Sequence, residues 1–193
     1  LLAAAASAPL FGIRPQMPSF LLTSIYIALF SRFIAEERTK LLWPLPAMML
    51  LWVNLHAGYA LGLGLIGLYA VSAVLDGKWR LVRPLGLTLL VSTALVPLNP
   101  NGLRMFSYPL ETLRSPSMAA YIEEWASPNF HQVTYLPLAL LLFSLIAVLA
   151  LSPKRTTLGE VFLVLVTGFG ALRSVRHIPI FALIAAPLLA QHL

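Results

Sequence analysis

Residues 50–69 read LLWVNLHAGYALGLGLIGLY. Apolar side chains fill both ends, and the break between them, LHAGY at 55–59, has room for no more than a tight turn. The runs on either side, 41–57 and 59–76, approach the roughly 20 helical residues that cross a hydrocarbon core of ~30 Å. The stretch therefore predicts two neighbouring transmembrane helices with almost no connection.

The rest of the chain repeats the pattern. Of its residues 59% are hydrophobic and 10% charged, with a mean hydropathy of +0.85. Soluble domains carry roughly 25% charged residues, so this composition excludes an ordinary soluble domain. It predicts an all-α fold, a polytopic transmembrane helical bundle in contact with the lipid bilayer. The net charge of +6 and pI of about 10.1 would point to nucleic acid in a soluble protein. In a membrane protein they reflect loops that face anionic lipid, so no nucleic-acid partner is expected. There is no cysteine, which excludes disulfides and thiolate metal sites.

Apolar runs punctuated by Pro, Gly and charge give a partial segment at 1–10 and about seven spans. The spans are 18–35, 41–57, 59–76, 84–98, 133–151, 159–175 and 178–193, with Pro18, Pro84 and Pro179 placed to start helices. Residues 1–193 are expected to form a single transmembrane domain. Because Leu1 and Leu193 both lie in apolar runs, the chain is expected to be an internal piece of a longer protein.

Alternating the connections separates the basic residues. Arg32, Arg38, Lys40, Lys78, Arg80, Arg83, Lys154 and Arg155 fall on one side, eight of the thirteen. The excess of positive charge assigns that side to the cytoplasm. The outer side then carries Arg14, Arg104, Arg114, Arg173 and Arg176, with nearly all the unusual polar residues: Asn54, His56, Asn99, Asn101, Glu111, Glu123, Glu124, Asn129, His131 and His177. It also carries one long loop, 99–132.

That loop opens with Asn99-Pro100-Asn101-Gly102, a turn signal. Two short interfacial helices are expected after it, at 102–114 and 116–125, with Ser115 capping the second and Pro116 at its first position. Phe106, Tyr108, Tyr121 and Trp125 are of the aromatic type that settles at headgroup level. Glu123 or Glu124 is a candidate general base for an acceptor hydroxyl; the competing reading is the solvated acidic end of an interfacial helix.

Within the opening stretch, Trp52 and His56 are four apart and share a helix face. Asn54 and His56 either contact substrate or bond a neighbouring helix and the interface. Gly58, Gly62, Gly64 and Gly67 suit close helix packing.

In GALRSVRHIPIF, 170–181, Arg173, Arg176 and His177 gather where the chain is expected to turn at 176–178, since Ile178 precedes Pro179. Such cations stabilise a helix C-terminus through its dipole. Two arginines and a histidine also suit a phosphate, which guanidinium grips bidentately, beside the amides of the next helix.

Several segments together resemble a known group: FGIRPQMPSF (11–20), the opening stretch, LVPLNPNGLRMFSYPLETLRSP (95–116), YIEEWASPNFH (121–131) and LRSVRHIPIFALIAAPLLA (172–190). Their order and character are similar to bacterial polytopic membrane proteins related to the GT-C glycosyltransferases. The resemblance implies transfer of a sugar from a polyprenyl-phosphate donor at the outer face of the cell membrane to an acceptor. It implies inversion at the anomeric carbon, a carboxylate base, and cations holding the lipid phosphate. A divalent metal is required in some branches of that group and not in others. Carried onto this chain, Arg14, Arg173, Arg176 and His177 become phosphate contacts. Glu123 or Glu124 becomes the acidic candidate. Apart from the resemblance, Asn54, His56, Asn99, Asn101 and Arg104, polar residues on the outer side, are the candidate substrate contacts. The group's principal acid sits in its first outer loop, which is expected to precede Leu1; Asp76, the only Asp, lies on the cytoplasmic side.

Two rivals remain. In a transporter or flippase, Arg14, Arg173 and Arg176 would line an anion path, with polar residues at mid-membrane and helices broken in matching repeats. The polar residues here cluster at one end and no repeat is visible. A non-catalytic membrane subunit would use the Gly-rich third span for association. The orientation is testable with single cysteines: Ser115→Cys reacts with an impermeant maleimide on intact cells, and Thr156→Cys reacts only after permeabilisation. The reverse pattern inverts the topology.

Overall fold

A computed structural model describes residues 1–12, 16–115 and 122–193. Among these residues all regular structure is helical: nine α-helices linked by short 3-10 turns, with no strand. Three stretches, Met17–Glu36, Trp79–Leu98 and Val133–Leu151, are long and apolar enough to cross a membrane. The chain divides into two compact units, Ile13–Ser115 and Leu1–Gly12 with Pro116–Leu193.

The Ile13–Ser115 unit contains α2 (Met17–Glu36), α3 (Pro44–Leu55), α4 (Tyr59–Leu75), α5 (Trp79–Leu95) and α6 (Tyr108–Arg114). Its core is aromatic. Phe30 and Tyr69 stack with centroids 4.5 Å apart, and Tyr26 meets Phe30 and Trp52 edge-on at 5.9 and 5.5 Å. Each phenol or indole in this core brings a polar group that needs a partner. Tyr26 donates its hydroxyl to the Leu45 carbonyl at 2.8 Å. Trp52 donates from Nε1 to Ser19 Oγ at 2.7 Å.

Close approach of α4 to α3 is required by that indole. A Cβ on Gly62 would stand 2.8 Å from both Trp52 Cζ3 and Met49 Cε, so no larger residue fits without moving the ring. Gly64 and Gly67 have open space around them. The expected close-packing role therefore holds within this unit for Gly58 and Gly62, and not for Gly64 and Gly67.

At the other end of α4 the chain reverses through Asp76-Gly77-Lys78. Lys78 N–H bonds the Ala73 carbonyl at 2.8 Å and Gly77 N–H bonds Val74 at 3.0 Å. Gly77 takes the left-handed conformation (φ +68) that this helix ending favours.

Helix α5 corrects the expected 84–98 span. It begins at Trp79, so Arg80 and Arg83 lie in its first turns and Pro84 sits inside it. With its 3-10 extension it reaches 20 residues. Pro84, sixth in the helix, supplies no amide to the Arg80 carbonyl, a local cost that the helix carries near its start. The expected 41–57 span is shorter than its apolar run. Thr39–Leu42 is a separate 3-10 turn, and α3 has 12 residues starting at Pro44.

The second unit contains α1 (Leu2–Ser7), α7 (Leu136–Leu151), α8 (Leu158–Arg173) and α9 (Ile178–His192). Helix α9 is its centre: Ile178, Phe181, Ala182, Ile184 and Ala185 are all buried, and α1, α7 and α8 pack around it. Helix α8 starts with a capping box, Thr157 Oγ1 accepting from Glu160 N–H at 3.1 Å while Glu160 Oε2 accepts from Thr157 N–H at 2.8 Å. The same carboxylate meets His192 Nε2 at 3.3 Å and Lys154 Nζ at 3.7 Å. With 16 and 15 residues, α8 and α9 are shorter than the ~20 that span a full hydrocarbon core.

The glycines provide a sharp test of this packing. Gly62→Ala should destabilise the detergent-solubilised protein by about 1–3 kcal/mol through overpacking. Gly64→Ala should leave it unchanged or raise it by up to ~1 kcal/mol through helix propensity. Equal melting shifts for the two variants would contradict the α3–α4 contact.

Candidate functional site

Ser174 decides the local geometry of the basic linker. It follows the last residue of α8 with an extended backbone (φ −154, ψ 128), and Ile178 is already helical (φ −54, ψ −46). The break therefore comes at Ser174, earlier than the expected 176–178. Its cause is a partner outside the helix: Ser174 Oγ donates to the Glu124 carbonyl at 2.8 Å. Two more bonds join the same segments. Val175 N–H donates to the Ala126 carbonyl at 3.0 Å, and Ser127 Oγ donates to the Arg173 carbonyl at 3.3 Å. The last of these satisfies a carbonyl orphaned by the end of α8.

These bonds bring together two groups that lie some 50 residues apart in the chain: the acidic segment Glu123–Trp125 and the linker 173–177. Trp125 then becomes a platform for Arg176, whose Cζ lies 4.6 Å from the ring centroid. A guanidinium on an aromatic face keeps most of its in-plane donors available. Arg176 is half-buried, and burial lowers its pKa from the usual arginine value. Arg173 is exposed, in the last turn of α8, where its charge suits the helix dipole. Among the described residues neither arginine joins an ion pair.

His177 behaves differently from the expectation of a third cation. Burial, and then the neighbouring Arg176 charge, lower its pKa below the ordinary histidine value, so at neutral pH the ring is uncharged. Its Nδ1 is buried with no hydrogen-bond partner among the described residues. Of the first-turn amides of α9, Pro179 supplies none. Glu123 is exposed and Glu124 partly buried. His131, adjacent in sequence, is exposed, and its amide bonds Asn129 Oδ1 at 3.1 Å.

The other expected contacts lie in the Ile13–Ser115 unit, where they hold helix ends. Asn99 Nδ2 donates to the Val53 carbonyl at 2.9 Å, one of the orphaned carbonyls of α3, and to Asn54 Oδ1 at 3.3 Å. Asn54 Nδ2 turns back to Leu50 O at 2.8 Å. Asn101 donates through both N–H and Nδ2 to Asn99 Oδ1, at 2.9 and 3.0 Å. This builds the turn that Asn99-Pro100-Asn101-Gly102 signals, closed by Gly102 N–H on the Asn99 carbonyl at 2.8 Å. Arg104 is exposed on the following 3-10 turn, which Tyr59 anchors by donating its hydroxyl to the Met105 carbonyl.

Trp52 and His56 do meet, through a residue the sequence did not single out. Ser19 Oγ accepts from Trp52 Nε1 and lies 2.7 Å from His56 Nδ1. Gly58 N–H also donates to that Nδ1 at 3.0 Å. An amide can only donate, so Nδ1 is an acceptor and Ser19 donates to it. The neutral ring therefore carries its proton on Nε2. A Cβ on Gly58 would lie 2.4 Å from Ser19 Oγ, so the turn requires glycine there.

Arg14 and residues 116–121 lie outside the described residues, which includes most of the expected second interfacial helix; 123–125 is a single 3-10 turn. The first expected helix, 102–114, is a 3-10 turn followed by α6. Among the described residues no three His, Asp or Glu side chains gather to hold a metal ion. The divalent-metal expectation thus finds no donor set in them.

No family model, curated protein or solved structure matches the chain. The side chains that sequence reasoning passed over, Ser19, Ser127 and Ser174, carry no local signal, because each finds its partner far away in the chain.

The histidine gives a pH test with a fixed sign. A lowered folded-state pKa means the unfolded chain binds the proton more readily, so stability falls as pH drops below about 6.5. Thermal unfolding followed from neutral to mildly acidic pH should show that loss. His177→Gln should reduce its slope, and an unchanged slope would contradict a buried neutral ring.

Proposed function

We propose that this chain is the membrane-embedded part of a GT-C-type glycosyltransferase that takes a sugar from a polyprenyl-phosphate donor at the outer face of the cell membrane. In this reading the helices form about seven spans, with the 99–132 loop over the outer mouth. The main support is the hydrogen-bonded junction of Glu123–Ser127 with Arg173–Val175. It joins the segment that carries Glu123 and Glu124 to two arginines that form no ion pair among the described residues, with Trp125 as a platform for Arg176.

The chemistry follows from those groups. As the acceptor oxygen bonds to the anomeric carbon, its proton passes to a carboxylate and the bond from that carbon to the phosphate oxygen breaks. The electron pair leaves on the lipid phosphate. Arg173 and Arg176 stabilise that charge, which grows during the step and is the kind of interaction that lowers a barrier. Trp125 holds the Arg176 plane in place, so less rotamer freedom is lost when the phosphate is gripped. His177, being neutral, contributes no third charge; its role is to fill the corner behind Arg176. Of the two acids, Glu124 is better held, because its carbonyl is tied to Ser174.

Arg173→Ala and Arg176→Ala should each weaken binding of a polyprenyl-phosphate donor by about 1.5–3 kcal/mol, the range for hydrogen bonds to a charged group. The yield of folded protein should not change. Trp125→Leu should act in the same direction through Arg176 alone. Unaltered donor affinity in both arginine variants would remove the phosphate grip. Measurable substrate flux in liposomes, with no sugar release from a broad donor panel, would favour a transporter instead.

A further inference from the structure

A second feature lies wholly within the Ile13–Ser115 unit. Between the Thr39–Leu42 turn with the start of α3, and the first turns of α5, runs an open groove of about 860 Å³. Its walls include Pro46, Leu87 and Val91, and its mouth carries Trp43, Trp79, Arg80 and Arg83. The groove is apolar along its length and basic at one end. Arg80, Arg83, Leu87 and Val91 follow one another at helical spacing on a single face of α5. From Arg80 to Val91 that face extends about 16 Å at 1.5 Å per residue.

Three observations define what fits. Leu87 and Val91 are 53% and 46% exposed, so a long apolar surface is left open. Trp43 and Trp79, 71% and 67% exposed, flank its basic end, in the manner of side chains at headgroup depth. Among the described residues neither Arg80 nor Arg83 joins an ion pair. A free anion would use the arginines and leave the wall bare. An uncharged acyl chain would leave the arginines without a partner, and a zwitterionic headgroup would bring its own cation beside them.

We propose that this groove binds one anionic phospholipid, its phosphate on Arg80 and Arg83 and an acyl chain along Leu87 and Val91. Guanidinium grips phosphate through paired donors, and the chain covers surface that α5 otherwise exposes. The proposal rests on α5 crossing a membrane and is independent of the glycosyl-transfer reading.

The test uses the purified full chain in phosphatidylcholine nanodiscs doped with brominated phosphatidylglycerol or brominated phosphatidylcholine. Bromine quenches nearby indoles, so tryptophan emission reports occupancy of the groove. The brominated anionic lipid should quench at a lower mole fraction than the zwitterionic one. Arg80→Gln and Arg83→Gln should each reduce that preference by roughly five-fold. Trp43→Phe combined with Trp79→Phe should remove the quenched component. Equal quenching by the two lipids overturns the proposal, as does a preference that survives both arginine substitutions. Relief of quenching by soluble glycerol phosphate would mean that the site takes an anion without its chain, and overturns it as well.

Discussion

In a chain with so little polar material, every helix end leaves amides or carbonyls that must find partners inside the protein. At a few of those ends a hydroxyl or a side-chain amide supplies the partner, and nearby polar side chains bond to one another to fix the junctions. Ser19 accepts from Trp52 and donates to His56, which ties α2 to the end of α3 and to the turn before α4. Asn99 does the same for the Val53 carbonyl. Ser174 and Ser127 join the end of α8 to the segment around Glu124. Without these bonds the helices would still form, but their ends would not be held in one arrangement.

The proposed phosphate grip inherits its character from one such junction. Ser174 leaves the helix to reach Glu124, and that departure places Arg173 and Arg176 in different settings. Arg173 stays at the C-terminal end of α8, exposed and favoured by the dipole. Arg176 turns inward onto Trp125. His177 ends beside Arg176, half-buried with its Nδ1 enclosed, and both effects lower its pKa. Three residues that look like a uniform basic cluster in the sequence thus divide into a cation with no ion pair among the described residues, a cation supported by Trp125, and an uncharged filler. By contrast, Asn54, Asn99 and Asn101 look like substrate contacts in the sequence, and in the structure they bond to one another and to α3.

Much of the helical layout was legible. The runs at 18–35, 59–76, 133–151 and 178–193 correspond to helices within a few residues, because a long apolar block bounded by charge has few alternatives. Proline was a less reliable guide. Pro18, Pro44 and Pro179 do sit at helix starts, whereas α5 begins five residues ahead of Pro84. Ile178 is helical in spite of the proline that follows it. In both cases the helix boundary lies where the Gly77 turn or the Ser174 break falls, and not at the proline.

The sequence by itself determined that the chain is helical and built from long apolar runs, and which residues carry its scarce charge. Those properties depend on composition and spacing along the chain, which folding does not alter. Only the tertiary structure decided which glycines mediate contact, which asparagines hold helix ends, and that the 124–127 backbone and hydroxyls bond the linker at 173–175. Most of these depend on a hydroxyl, an amide or a ring finding a partner roughly ten to fifty residues away. Such a pairing is selected by the cost of leaving a buried polar group unsatisfied, and no local pattern of residues encodes it.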